Sequence, residues 1–455
     1  MFTVQDIRKA TKGQLLQGQD SVRLRGVSIN TRTIRRRYLF IAIKGKNFDG
    51  HDFAANAVKK GATALMVSRR AGPLPGGVPV ILVDDTVKAL GRLARYHRDR
   101  FSMPVIALTG SAGKTTTKEM AARVLAAKYR VLKNEGTENN HIGVPMTLLK
   151  LRPSHEIAVI ETGTNQPGDI RWLAHVIRPT VVVLTNIGES HLERLKDSSG
   201  VFREKFELVR GMTERGCVIY NADNPYLRRV PALAKGHRMI SYGTSSPADL
   251  RARDLTLSAN AKISFSVNSR KWSIRTPAAH NVSNALAAIA CGRLFKVPEG
   301  KIKGRIFSFR FPQGRQTLKK EGGCWVINDT YNANPVSLRS ALQTLASLNN
   351  KGRKILVCGD MLELGGRSAR LHRDIGRFVA HCGVDAVLSL GKLSEAVSRE
   401  AKSAGVPVVA RHFGSAEQLN QKLKEYLRPG DAVLVKGSRG MKMERIIDFL
   451  EKNLN

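Results

Sequence analysis

VIALTGSAGKTTTK, Val105 to Lys118, is the stretch on which the fold turns. Four apolar residues predict a buried strand, Gly110 and Gly113 a tight turn, and Lys114 with Thr115 to Thr117 the opening of a helix. That arrangement is a phosphate cradle. Backbone N–H groups and the helix N-terminus point at an anion, the lysine supplies a mobile charge, and a threonine hydroxyl can hold Mg²⁺. The strict G-x-x-x-x-G-K-[ST] pattern is not met, because Leu108 stands five positions before Gly113, leaving the shorter T-G-x-x-G-K-T. A glycine-rich turn alone also reads as punctuation; the strand before it and the helix after it select the cradle.

Two further runs, IAVIETG ending at Gly163 and VVVLTNIGESH ending at His191, share the pattern of a continuous apolar run followed by polar residues. Such runs suit a parallel sheet covered on both faces, whose ligands sit beyond the carboxyl ends of the strands. The phosphate loop, Glu161 and His191 are therefore expected in one crevice. Glu161 is a natural Mg²⁺ ligand there, against a plain solvated strand end, whereas His191 by itself reads as structural. Between these runs lies the polar loop GTENNHIGVP, Gly136 to Pro145, whose role physics alone does not assign. Lys205, in the helix predicted over GVFREKFELVRG, would ordinarily be a solvated residue paired with a neighbouring glutamate.

Upstream, VRLRGVSI, YLFIAI, ATALMVS and VPVILVDD predict short strands, with a helix over DFAANAVKK, making a small α/β domain over residues 1–85. SINTR (Ser28 to Arg32) and KGKNFDGHDF (Lys44 to Phe53) place polar and basic groups just beyond its strands, as ligand loops or as ordinary turns. Thr86 is expected to cap a helix with Val87, Leu90, Leu93 and Ala94 on one face, ending near Phe101 and leading into a central domain, 86–311. After a linker at FPQGR, Phe311 to Arg315, strands and helices alternate again (CWVIND, KILVCGD, AVLSLG, VPVVARHF, AVLVKGS), a doubly wound, Rossmann-like third domain over 312–455.

A chain of 455 residues carries about three domains of roughly 150 residues. It has no 18-residue apolar run, and MFTVQDIRKATKGQ lacks the apolar core of a secretory signal, so a cytoplasmic protein without a transmembrane segment is expected. Five widely spaced cysteines (Cys217, Cys291, Cys324, Cys358, Cys382) suggest neither a disulfide framework nor a zinc site. With 75 Lys and Arg against 37 Asp and Glu, the formal charge is +38, compatible with nucleic acid, an anionic surface or polyanionic substrates. The basic residues are dispersed (Arg35 to Arg37, Arg69-Arg70, Arg228-Arg229, Lys319-Lys320) with no long basic tail or aromatic-interleaved patch, which favours the plain reading of a basic proteome plus anionic ligands; no nucleic-acid partner is expected.

TGSAGKTTTKE, GTENNHIGVP, IETGTNQPGDI, TNIGESHLE, HNVSNALAA, FPQGR, NDTYNANP, GDMLELG and VLVKGSRG occur in the order and spacing of the Mur ligases, and the chain resembles that family from Ser28 to its end. The resemblance implies ATP-dependent amide ligation in peptidoglycan precursor synthesis, with a first domain that binds the uridine part of a UDP substrate. Within the family it points to the member that joins D-alanyl-D-alanine to UDP-N-acetylmuramoyl-tripeptide, acting as a monomer. It implies ATP contacts at Gly110, Ser111, Ala112, Gly113, Lys114, Thr115, Thr116, Asn281, Arg315, Asp329 and Asn332, with His280 near the base. Magnesium would be held by Thr115, Glu161, His191 and a carbamylated Lys205; substrates by Ser28, Thr31, Arg32, Lys46, Asn139, Asn140 and Lys436. Lys114, Lys205, His191 and Arg315 would carry the catalysis. A lysine carbamate requires a pocket that lets the neutral amine form.

Two stretches depart from the family pattern. GGRSARLHRD follows MLELG where acidic residues are usual, and RRRY replaces a Pro-Gly-Asp-like turn before LFIAI. Among rival readings, a folate polyglutamate ligase lacks such a first domain. A ligase adding the third residue carries Asp-Asn-Pro-Arg in its last domain, but the Asp-Asn-Pro here is Asp223 to Pro225, followed by Tyr226. A non-catalytic basic nucleotide-binding protein is the rival from another class.

Overall fold

The computed structural model describes residues 2–69, 75–213, 215–258, 260–404 and 409–454. Arg70 of the Arg69-Arg70 pair and residues 406–408 of VPVVARHF lie outside them. The chain is α/β throughout and builds three large sheets.

The first has five strands in the order Gln14–Gln17, Val80–Leu82, Ala62–Val67, Tyr38–Ile41, Gly26–Ser28, parallel except for the Gln14–Gln17 edge. A helix at Val4–Thr11, absent from the pattern reading, is held by a reciprocal capping box between Thr3 and Asp6 and packs on the helix Thr86–Arg98. That second helix is capped one residue earlier than expected. Asp85, not Thr86, accepts from the N–H groups of Val87 and Lys88 at 2.7 and 3.0 Å, and the charged carboxylate outcompetes a hydroxyl that is itself buried in the first turn.

The central sheet has nine strands, ordered Arg270–Ile274, Ile263–Val267, Leu250–Leu257, Arg238–Gly243, Cys217–Asn221, Val181–Leu184, Val105–Thr109, Ile157–Glu161, Val131–Lys133. The seven strands from Leu250–Leu257 to Val131–Lys133 pair parallel, while Ile263–Val267 pairs antiparallel with both Leu250–Leu257 and Arg270–Ile274, making an antiparallel ribbon at that edge. Val105–Thr109 is buried along its whole length, with Val105 and Ala107 facing one apolar core and Ile106 and Leu108 the other. From this strand the chain passes to Val131–Lys133 at the edge, returns to Ile157–Glu161 on the same side and then crosses to Val181–Leu184 on the other, so the crevice of a doubly wound sheet opens above it.

The third sheet is ordered Thr317–Glu321, Cys324–Asp329, Ala432–Lys436, Lys354–Gly359, Ala386–Leu390, Val409–Phe413, parallel except for the first edge strand. The carboxyl ends at Asp329 and Lys436 face those at Thr109 and Glu161 across one cleft. Among the described residues no helix is long and apolar enough to cross a membrane.

Candidate active site

The cleft has a volume of about 540 Å³ and is lined from both sheets. Its floor is the loop after Val105–Thr109. Gly113 caps the helix Lys114–Leu125 at φ +78°, a left-handed conformation that suits glycine, and a Cβ there would lie 2.5 Å from Asn284 Oδ1. Lys114 folds back to donate to the Gly110 carbonyl at 2.8 Å. Burial pushes its ammonium down from the ordinary lysine range, Glu161 opposes this and Arg315 adds to it.

Thr115 Oγ1 donates to Glu161 Oε2 at 2.8 Å, and Asn139 Nδ2 donates to Glu161 Oε1 at 2.7 Å. Lys118, with no exposure, donates to the carbonyls of Asn134 and Gly136 at 2.7 and 2.9 Å and stands 4.0 Å from Glu161. Asn134 in turn accepts from the Glu161 N–H at 2.9 Å. The carboxylate is thus oriented from several sides. A hydroxyl and a fixed carboxylate at the mouth of a phosphate loop fit magnesium, which binds through one or two carboxylates plus substrate phosphates. Among the described residues no group of three or more His, Cys, Asp and Glu side chains could hold a metal unaided, so the phosphates would have to complete the shell.

The third sheet contributes the opposite wall. Arg315 lies 4.0 Å above the Tyr331 ring, and Lys436, 2% exposed, donates to Asp329 Oδ2 at 2.7 Å and to the Asn332 carbonyl at 2.8 Å. Asn334 Nδ2 reaches across to the Ser111 carbonyl at 3.2 Å, and His191 Nδ1 meets Glu363 Oε2 at 2.6 Å. Burial, helped by Lys436 and opposed by Asp329, pushes the His280 imidazole down to about 4, so it is neutral near pH 7.

Ser111, Ala112, Gly113, Lys114, Thr115, Thr116, Asn139, Asn140, Glu161, His191, Asn281, Arg315, Asp329, Asn332 and Lys436 are brought together in the lining, with Gly110 as the turn beneath. Asn281 is buried and turns both ends of its amide to Thr276 and Asn284. Lys205 is not part of the lining. It is 1% exposed in the helix Ser198–Arg210, and burial, reinforced by Lys114, holds its amine well below the usual lysine range. Glu204 does not pair with it, because both carboxylate oxygens accept backbone N–H groups, those of Gly168 and Ile170, at 2.8 Å. Ser28, Thr31, Arg32 and Lys46 lie apart from the cleft, Ser28 ending a strand of the first sheet and the others beyond strand ends. Lys118, Asn134, Asn284, Asn334, Tyr331 and Glu363 escaped the motif reading. Signals existed for Asn284, three residues after Asn281 on one helix face, and for Tyr331 and Glu363, inside NDTYNANP and GDMLELG.

Three family models match the chain: "Mur ligase family, catalytic domain" over residues 23–98, "Mur ligase middle domain" over 108–292, and "Mur ligase, glutamate ligase domain" over 314–439. A Bacillus subtilis protein named UDP-N-acetylmuramoyl-tripeptide–D-alanyl-D-alanine ligase is 37% identical over 462 residues, covering 100% of this chain and 99% of that one. The Escherichia coli protein of the same name is 35% identical over 446 residues, with 96% of each covered. Among solved structures, a MurF from Acinetobacter baumannii superposes with a TM-score of 0.90 at 31% identity and 99% coverage of both chains. The MurF ligase of Thermotoga maritima in complex with ADP gives 0.84 at 28% identity, covering 95% of this chain and 98% of that one.

Proposed function

The chain belongs to the Mur ligase family, and from that premise we propose that it joins D-alanyl-D-alanine to UDP-N-acetylmuramoyl-tripeptide at the expense of ATP, releasing ADP and phosphate. The observation that carries this reading is the convergence, in one cleft, of a phosphate loop with an oriented Thr115–Glu161 pair and, from a different sheet, Arg315 and Lys436. A carboxylate is a poor acyl donor. Transfer of the γ-phosphoryl group makes the tripeptide carboxylate an acyl phosphate, the dipeptide amine adds to its carbonyl, and the tetrahedral adduct expels phosphate. With an α-amino pKa near ~8, enough of the amine is neutral at pH 7 for attack without a strong protein base.

The protein's part is therefore positioning and charge neutralisation. Lys114, released from Gly110, and Arg315, braced on Tyr331, face the phosphoryl oxygens from opposite walls. Thr115, Glu161, His191 and a carbamylated Lys205 would hold magnesium, which supplies further neutralisation of phosphate charge when bound. Neutral His280, beside Asn281, offers a base-facing hydrogen-bonding edge without a charge. Ser28, Thr31, Arg32 and Lys46 serve the UDP portion, Asn139, Asn140 and Lys436 the peptide portions, and the working units are 1–85, 86–311 and 312–455 of a cytoplasmic monomer.

Phosphate release with ATP, Mg²⁺ and UDP-muramoyl-tripeptide, with and without D-alanyl-D-alanine, tests the reading. Release that requires the dipeptide, with the pentapeptide product seen by mass spectrometry, is expected. Stimulation instead by a single amino acid on a shorter acceptor would sink the substrate assignment and leave the family standing.

A further inference from the structure

Glu363 lies on the loop between the strand Lys354–Gly359 and the helix Ser368–Ala380, yet its carboxylate meets a residue of the central sheet, His191, at 2.6 Å. The contact is more than a meeting of two side chains. Glu193 N–H donates to the Glu363 carbonyl at 3.3 Å, and Gly365 approaches so closely that a Cβ there would stand 3.0 Å from Glu193 Cα. Both partners also hold left-handed backbones, His191 at φ +53° and Glu363 at φ +63°, which side chains other than glycine adopt only at a steric cost.

The loop is braced from its own side. Met361 N–H donates to His372 Nε2 at 3.0 Å, and Leu362 N–H to Ser438 Oγ at 2.8 Å. His372 is buried and uses its other nitrogen on the Ser368 carbonyl at 2.7 Å. An adventitious surface ion pair joins mobile side chains on relaxed backbones and contributes little. Here a buried histidine and a serine present the carboxylate, and two strained backbones persist at the meeting point.

We propose that Glu363 is a positioning residue for His191. The ionised carboxylate can only accept, so the proton of the contact resides on His191 Nδ1, and in the neutral imidazole the Nε2 lone pair is left for the cleft. Because Glu363 belongs to the third sheet, the imidazole is set only when that unit is seated on the central one. The task given to Nε2 rests on the proposed function; the protonated atom does not.

The test is side-chain ¹⁵N NMR of the full chain labelled at histidine, with H191N to assign the signal among 11 histidines. Wild type is expected to show His191 protonated at Nδ1, and E363A to revert to a mixture rich in the Nε2–H tautomer. E363Q, equal in size and retaining an acceptor, should hold part of the Nδ1–H population, guarding against a folding artefact. In the ligase assay E363A should lower kcat by about 10- to 100-fold, with KM for ATP within about twofold. An Nε2–H tautomer in wild type, or an unchanged tautomer in E363A, overturns the proposal. Failure of wild type to consume ATP with the dipeptide would instead overturn the functional reading, because the NMR result stands without turnover.

Discussion

A lysine sealed from solvent is either ion-paired or neutral, and among the described residues Lys205 makes no ion pair. The amine is therefore available to add CO₂, losing a proton and becoming an anionic carbamate that could help hold a cation beside Lys114. Labelled ¹³C-bicarbonate is expected to give a carbamate resonance in wild type that K205A lacks. Activity of K205A should fall by more than the roughly 10- to 100-fold typical of a residue that only supports a ligand, with partial recovery on adding short carboxylic acids. A second test at this scale is Gly113→Ala. A left-handed alanine costs about 1–2 kcal/mol, and its Cβ would displace the Asn284 amide that accepts from Thr117 Oγ1 at 3.1 Å. Weaker ADP binding by titration calorimetry and a lower melting temperature are both expected.

At the level of elements, legibility followed burial. Val105–Thr109, Ile157–Glu161 and Val181–Leu184 are buried end to end, so their apolar runs announced them and their polar ends announced the cleft. The ribbon of Leu250–Leu257, Ile263–Val267 and Arg270–Ile274 stayed hidden for two reasons. The outer half of its first strand is exposed and polar-flanked, and its tight turn uses Asn268 and Ser269, both at positive φ, without the glycine that usually marks such a turn. Thr317–Glu321, TLKKE, is an edge strand with no buried residue and no apolar pattern at all. Cleft-lining residues were legible where a strand end or loop motif carried them. Lys118 and Asn134 were not, since their work is orienting Glu161 through contacts between elements distant in sequence. The short helix Gly50–Phe53 gives a prediction of its own. Asp49 caps it, and the Arg69 guanidinium at 2.9 Å, with the N–H and ring of His51 at 3.0 and 2.6 Å, holds its carboxyl well below the usual range. A lowered folded-state pKa gives stability fully present above the unfolded value of about 4 and lost progressively below it, until pH has fallen through the folded value. Urea midpoints of wild type and D49N should therefore differ at about pH 6, and the difference should begin to shrink only as pH falls below about 4. Because Arg69 is half-exposed, salt should shrink the difference.

For the whole molecule the cleft exists because the carboxyl ends of two sheets are held opposite each other, and few of the 75 basic residues line it. Charge therefore explains little of the assembly; close packing at Gly188 explains more. Its N–H and carbonyl both engage Ser111 Oγ, at 3.0 and 2.9 Å, while a Cβ there would stand 2.5 Å from Val336 Cγ2 on the helix Pro335–Ser347 of the third sheet. Gly188 does not hold a positive φ, so Gly188→Val acts as a wedge and adds no left-handed strain. A displacement of about 1 Å at a reacting centre can cost about 100-fold in rate. Turnover of G188V should fall by at least that, while ADP, gripped chiefly by the loop of the central sheet, should bind within about tenfold of wild type. Small-angle scattering should show a larger radius of gyration. Trimming the opposing side chain, in G188V with V336A, should let the units seat again and recover both radius and rate. Were G188V to turn over normally at an unchanged radius, contact between Gly188 and Val336 would not be what sets the spacing of the two walls.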